Sequence, residues 1–308
     1  MSDDFSLILI SAMYENGGNT THRLLDGHPQ LYTYPFESQL GTNLVRDYLQ
    51  SMFPVKYRWP VFDLAGDPAS DYEAIIDEEC KVRSKTPFVS KFREAPFDLK
   101  DAHRKEQFLK HAAAGPRTRG RLVEAFFRST FDAWKDLRRS GRESTYVGYS
   151  PIVVVDAAKI LADLPQAHVL HVVRNPWSAY ADTKKRAVPL SLEHYLTAWN
   201  LCQDRAIYFL GLAPQRVHLL RYEDIIVKPE ETLGAVLKKI GLESSPTLQK
   251  PSWNGKVMDS VYPWGTIRIP TAEANVATAG ELSRDERDEV RRRAGPFLDA
   301  LGYRSFLP

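Results

Sequence analysis

The chain has 308 residues, 43% hydrophobic and 26% charged, values that support an ordinary globular core. A net charge of +2 is too small to argue for nucleic acid or an anionic membrane as a partner. No apolar run approaches the ~20 residues that cross a bilayer. The two cysteines, Cys80 and Cys202, supply neither a disulfide framework nor a zinc cluster and fit a reducing compartment. The first residues lack the basic and apolar regions of a secretory signal, so a soluble cytoplasmic protein is expected. The length suits one large α/β domain or two small ones, and the expectation is one domain, 1–308, with a mainly helical insertion at about 41–142.

Residues 5–10 are an apolar, β-rich run. A loop carrying Gly17, Gly18 and Asn19 breaks it. Thr20 and Thr21 open a short helix that Gly27-His28-Pro29 stops. Strand, glycine loop and helix make the layout of a phosphate cradle, because small residues let backbone N–H groups approach an anion at a helix N-terminus. This loop carries Glu15 and no Lys or Arg. Residues 30–35 read as a second short strand. Glu37 follows its end, where ligands of open α/β sheets lie.

Between residues 41 and 142 the pattern predicts an acidic helix over 71–81 and a basic helix over 101–114. A long amphipathic helix over 121–139 presents Leu122, Ala125, Phe126, Trp134 and Leu137. This region is expected to shape a substrate pocket. A strand over 144–149 and a helix over 152–164 come next. The strand over 168–173 delivers Arg174-Asn175-Pro176 at its carboxyl end, and helices follow over 177–186 and 192–210. A strand over 216–220 ends in Arg221-Tyr222-Glu223-Asp224. The next helix has Pro229 in its first turn, Glu230 and Glu231 at its positive end, and Lys238 and Lys239 at its negative end. Ser283 and Glu286 form a capping-box pattern opening the last helix. Strands alternating with helices predict an α/β fold with a parallel sheet covered on both faces.

Arg174 is placed to fork onto a phosphate, or to pair with a surface carboxylate. Lys184, Lys185 and Arg186 supply further cations or make a solvated helix face. Glu37 takes a proton from an acceptor hydroxyl, caps a helix or pairs with Arg46. His22 is within reach of an anion at the start of the first helix, and His28 belongs to the turn. His168 and His171, three apart on a strand, point to opposite faces, which argues against a shared metal.

An ordered set of segments resembles the sulfotransferases that use 3′-phosphoadenosine 5′-phosphosulfate (PAPS), both the broad bacterial group and the tyrosylprotein sulfotransferases. The segments are Arg23-Leu24-Leu25-Asp26-Gly27-His28-Pro29, Val172-Val173-Arg174-Asn175-Pro176, and Arg221-Tyr222-Glu223-Asp224 with Pro229-Glu230-Glu231-Thr232-Leu233 and Ile240-Gly241-Leu242. Trp253-Asn254-Gly255-Lys256 and Leu301-Gly302-Tyr303 complete it. The resemblance implies a P-loop-like α/β fold, PAPS as co-substrate, no metal, and in-line sulfuryl transfer to a hydroxyl or amine of a small-molecule or carbohydrate acceptor. It implies that Gly17, Gly18, Asn19, Thr20 and Thr21 hold the 5′-phosphosulfate, Arg174 the 3′-phosphate, and Tyr222 the nucleotide, with Asp182 and Lys256 nearby. Glu37 lies close to the base of the tyrosylprotein enzymes, and His22 is the second candidate catalytic residue.

The chain departs from the family at the loop cation, where one alignment puts Glu15 and another Gly17. It departs again at a serine eight places after the arginine, here Asp182, and at a lysine before a Ser/Thr-Pro pair, here Tyr149. Lys184, Lys185, Arg186, Lys256 and Arg268 are the candidate compensating cations. A different activated donor, or a catalytically silent binding protein of the same fold, are the alternatives.

Overall fold

The first strand, β1 (Ser6–Ala12), sends alternate side chains into two separate cores. Leu7 and Leu9 join one, while Ile8, Ile10 and Ala12 join the other, as the two-residue period of a strand requires. The computed structural model describes residues 5–258 and 270–307. In it β1 is the middle of a five-stranded sheet, with β2 (Leu31–Thr33), β3 (Thr145–Tyr149), β4 (Ala167–Val173) and β5 (Val217–Arg221) in the order β2-β3-β1-β4-β5. Every neighbouring pair is parallel. The fold is the expected α/β class, a parallel sheet flanked by helices.

Three helices cover the Ile8 face: α1 (Gly18–Leu25), α9 (Tyr222–Val227) and α10 (Pro229–Lys239). They bury Leu24, Leu25, Ile225, Leu233 and Leu237 there. The Leu7 face takes α5 (Arg119–Ala133), α6 (Ala157–Asp163), α7 (Pro176–Thr183) and α8 (Leu192–Leu212), with α12 (Arg284–Arg293) and α13 (Gly295–Ala300) behind them. From β1 the chain moves past β3 to β2, and from β3 it crosses β1 to reach β4. The connections thus diverge around β1, and the crevice beyond its carboxyl end is where such sheets bind ligands. No helix among the described residues is long and apolar enough to cross a membrane.

Several helix limits differ from the sequence pattern, each for a local reason. The helix expected over 71–81 is two, α2 (Pro68–Ala74) and α3 (Glu78–Lys85). Between them Ile75 bridges Thr42, and Asp77 has a φ of 35°. The Asp77 carboxylate accepts from the Tyr34 hydroxyl (2.8 Å) and from Arg104 Nη2 (2.7 Å) on α4 (Asp101–Ala112), which draws the chain inward. The helix expected to reach residue 139 stops at Ala133, because Trp134 leaves it to bridge Leu99. The stretch 152–164 opens with a 3-10 turn, Val153–Asp156, in which Asp156 accepts from Arg58 Nε (2.7 Å) and the Trp59 amide (2.9 Å). Among the described residues three helices were missed: α9, read as the end of a strand, α11 (Ala272–Gly280), and α13, which follows the helix read as the last.

A short hairpin, β6 (Ser252–Trp253) and β7 (Lys256–Val257), packs on the far end of α1. Asp26, the residue closing α1, accepts from Ser252 Oγ (2.7 Å) and the amides of Asn254 (3.1 Å) and Gly255 (2.8 Å). His28 bridges the Gln30 amide and the Glu243 carbonyl, as its place in the turn suggested.

The Arg104–Asp77 pair has 0% exposure on both sides and joins two parts of the long β2–β3 connection to each other and to the hydroxyl of Tyr34, just past β2. Burial pushes the Asp77 carboxyl up, and Arg104 opposes it. Removing one partner of a buried pair costs roughly 3–5 kcal/mol. Arg104→Met is expected to lower the unfolding free energy by that amount in urea titrations. A loss under about 1 kcal/mol would show that the pair does not anchor this connection.

Candidate functional site

The site begins at a buried amide, that of Asn16. Its Nδ2 donates to the Tyr14 carbonyl (2.8 Å) and the Tyr195 hydroxyl (3.1 Å), and its Oδ1 accepts from the Arg174 amide (2.9 Å) and Trp199 Nε1 (3.2 Å). These bonds hold the loop while Glu15 (φ 59°) and Gly17 (φ 88°) turn through the left-handed region. A Cβ on Gly17 would lie 2.0 Å from the Tyr222 ring, so only glycine meets both demands. Among the described residues no side chain caps α1. Gly18, Asn19 and Thr20 therefore present its first turn to the cleft, an anion-ready helix N-terminus.

The cleft has a volume of about 970 Å³. Arg174 forms one wall. Its Nη1 donates to the Glu15 carbonyl (3.0 Å) and to Asp182 Oδ2 (2.8 Å), and its Nε donates to Asn275 Oδ1 (2.7 Å). Its guanidinium carbon lies 5.3 Å from the centre of the Tyr222 ring. Asn275 on α11 is set by Glu223, whose Oε1 also accepts from the Asn175 amide (3.1 Å) and side chain (2.8 Å). Tyr303 donates to the other oxygen of Glu223 (2.6 Å). Asp182 pairs in addition with Lys185 (3.1 Å), and Lys185 with Glu281 (2.8 Å). Glu15, 39% exposed, pairs with Arg186 (3.4 Å), which packs over the Tyr14 ring. Desolvation pushes the Glu15 carboxyl up, with Arg186 opposing.

Two carboxylates meet at another part of the wall. The Glu37 amide donates to Glu79 Oε2 (3.2 Å), and Lys91 pairs with Glu79 from the outer side. Glu37 also bonds the Tyr57 hydroxyl and accepts from Gln39 Nε2 (3.4 Å). Burial first, then the charge of Glu37, push the Glu79 carboxyl up to about 7. Arg46 bonds the carbonyls of Asn43 and Val45, not Glu37.

Gly17, Gly18, Asn19, Thr20, His22, Glu37, Arg174, Asp182 and Tyr222 thus line one cleft. Thr21 does not; it is buried and its hydroxyl donates to the Gly17 carbonyl (3.0 Å). Lys256 needs correction. It is exposed on β7, held beyond the opposite end of α1, about 12 Å along the helix from the glycine loop. His22 is fully buried, and burial with Arg23 beside it keeps the ring neutral, with Arg23 Nη2 2.8 Å from Nδ1. It supplies no positive charge. Tyr149 packs its ring on Gly18. Lys184 pairs with Glu286 and does not line the cleft, and Arg268 lies outside the described residues. Sequence reasoning missed Asn16, Glu79, Lys91 and Asn275. Glu79 was one acid in an acidic helix, and nothing local marked it.

Among the described residues, the cleft's cations are Arg23, Lys91, Arg174, Lys185 and Arg186, and its carboxylates Glu15, Glu37, Glu79, Asp182 and Glu281. Counted as formal charges, the two sets balance. One anionic group fits the uncapped end of α1. A second, brought to Arg174, meets the Asp182 carboxylate, and like charges ~4 Å apart cost about 4 kcal/mol at an effective dielectric of 20.

A model of the sulfotransferase family matches residues 16–246. The sulfotransferase domain of the Synechococcus PCC 7002 olefin synthase superposes over 96% of both chains with a TM-score of 0.55 at 15% identity. The sulfotransferase domain from the curacin biosynthetic pathway does so over 95% of this chain and 97% of its own, with a TM-score of 0.56 and 15% identity. No curated protein matches the chain. The two structural likenesses show a shared fold, and the family match spans the glycine loop, Arg174 and Tyr222. The chain belongs to the sulfotransferase family.

Proposed function

We propose that the protein transfers a sulfuryl group from a sulfated adenine nucleotide to a hydroxyl or amine of a small-molecule or carbohydrate acceptor. PAPS is the donor that the family implies. The observation that carries this reading is that Glu37 and the uncapped end of α1 line one cleft. The amides of the first turn hold the phosphosulfate end, and Thr20, bonded to the Tyr222 hydroxyl, fixes that ring against Gly17. Arg186 and Lys185 offset Glu15 and Asp182. The protein's task is positioning and stabilisation of charge on the oxygens around sulfur, as in phosphoryl transfer.

Glu37 is the general base. As the acceptor oxygen attacks sulfur, a new S–O bond forms, the bond from sulfur to the bridging phosphate oxygen breaks, and the acceptor proton passes to Glu37. Glu79 holds the Glu37 amide, and the connection at 41–142 shapes the acceptor side through Tyr57, Glu79, Lys91 and Phe92. The chain acts in the cytoplasm as one domain.

Glu37→Gln is expected to lower kcat about 10²–10⁴-fold with radiolabelled donor and a panel of hydroxyl acceptors. Nucleotide binding, read by calorimetry, stays as in the parent. A variant that keeps more than about a tenth of parental turnover would remove Glu37 as the base.

Glu79 gives a pH signature. Its folded pKa of about 7 lies above the ordinary 4.5. The folded state therefore binds more protons than the unfolded one between those values. Stability is fully present below 4.5 and declines as pH rises through 7. Glu79→Gln is expected to remove that decline, a difference on the order of 1–3 kcal/mol between the two ends of the window. Thermal denaturation across pH reads it, and an unchanged slope would contradict the assignment.

A further inference from the structure

The ion pairing around Arg174 bears on which nucleotide the cleft accepts. Arg174 is buried, and its guanidinium is engaged by Asp182 Oδ2 (2.8 Å), the Glu15 carbonyl (3.0 Å) and Asn275 Oδ1 (2.7 Å). Asp182 is also fixed from its other oxygen by Lys185 (3.1 Å). The carboxylate stands on Arg174, a buried cation placed to hold a phosphate. Glu15 adds a second acid beside it, already matched by Arg186. A phosphate arriving here finds Nε and Nη1 already engaged, and at the rest of the guanidinium it sits beside the Asp182 carboxylate.

A ribose hydroxyl meets the opposite situation. It donates to a carboxylate, and a charge-assisted bond of this kind is strong. Nucleotide sites elsewhere divide in the same way, with an acid reading a free ribose hydroxyl and an arginine reading a phosphate at that position. Selectivity arises here as much from rejecting the wrong group as from binding the right one.

We propose that Asp182 makes the site selective for adenine nucleotides with a free ribose 3′-hydroxyl, so that an adenosine 5′-phosphosulfate is a better donor than its 3′-phosphorylated form. The proposal rests on the reading that the phosphosulfate lies at the start of α1 and that Arg174 faces the ribose 3′ position. Attack by the acceptor on sulfur breaks the bond between sulfur and the bridging oxygen. That oxygen leaves on adenosine 5′-monophosphate, and the acceptor proton goes to Glu37.

The test is calorimetric titration of the full chain with adenosine 5′-monophosphate and with adenosine 3′,5′-bisphosphate, using the parent, Asp182→Ser and Asp182→Asn. The parent is expected to bind the monophosphate at least as tightly as the bisphosphate. Both variants, which remove the charge with and without keeping the side chain's shape, are expected to tighten the bisphosphate about tenfold or more relative to the monophosphate. A parent preferring the bisphosphate tenfold, or an affinity ratio unchanged in either variant, overturns the selectivity while leaving the donor reading intact. Failure of both nucleotides to bind the parent and the variants overturns the donor reading and the selectivity with it.

Discussion

The Asn16 side chain is the constraint on which the site depends. An amide has two donor and two acceptor positions, and here all four are used inside the protein. A buried amide with one bond missing would be costly, whereas a fully satisfied one specifies a single arrangement. The loop therefore has one geometry in which it turns twice through left-handed backbone and delivers α1 with its first amides outward. The same oxygen grips the backbone of Arg174, so the end of β4 is set in register with the loop. Glu223 does the matching work from the other side. It joins Asn175, Asn275 and Tyr303, and so brings a late helix and the C-terminal segment against the same arginine.

This explains what was legible in the chain beforehand. The strands β1 to β5 were, because each is a short apolar run that alternates between two cores or is buried on both faces, whereas the hairpin of β6 and β7 was not. The helix α10 was, because its charges and stripe are local signals. Asn16 was not, because Tyr195 and Trp199 lie 179 and 183 residues away. The break between α2 and α3 was hidden for a similar reason, since Asp77 leaves the helical pattern for a bond to Arg104 on another element. Local periodicity reports which face is apolar and says nothing of which buried polar group will find a distant partner. Strand ends and loop composition placed Gly17, Arg174 and Glu37 near one another, and the resemblance added Tyr222; all four line the same cleft. Lys256 was misplaced because motif order carries no direction along α1, and the bonds of Asp26 put its hairpin at the wrong end for a phosphate.

Many of the residues that carry the resemblance lie apart from those that break it, although Arg23, Arg174 and Tyr222 line the cleft as well. Asp26 fastens the hairpin, His28 the turn, and Glu223 with Tyr303 the wall behind Arg174. These are joints between elements, so they report the fold. Glu15, Tyr149 and Asp182, where the chain departs from the family pattern, all line the cleft. A scaffold held by joints tolerates new lining residues, since altering a charge at the surface of a cleft leaves the buried bonds behind it intact. Arg174 belongs to both groups. Its backbone is a joint to Asn16, and its side chain is a lining group whose charge Asp182 now uses. The fold therefore requires residue 174 to be where it is but does not dictate what its guanidinium binds. Here it binds Asp182, two turns along α7, one of the positions where the chain departs from the family pattern.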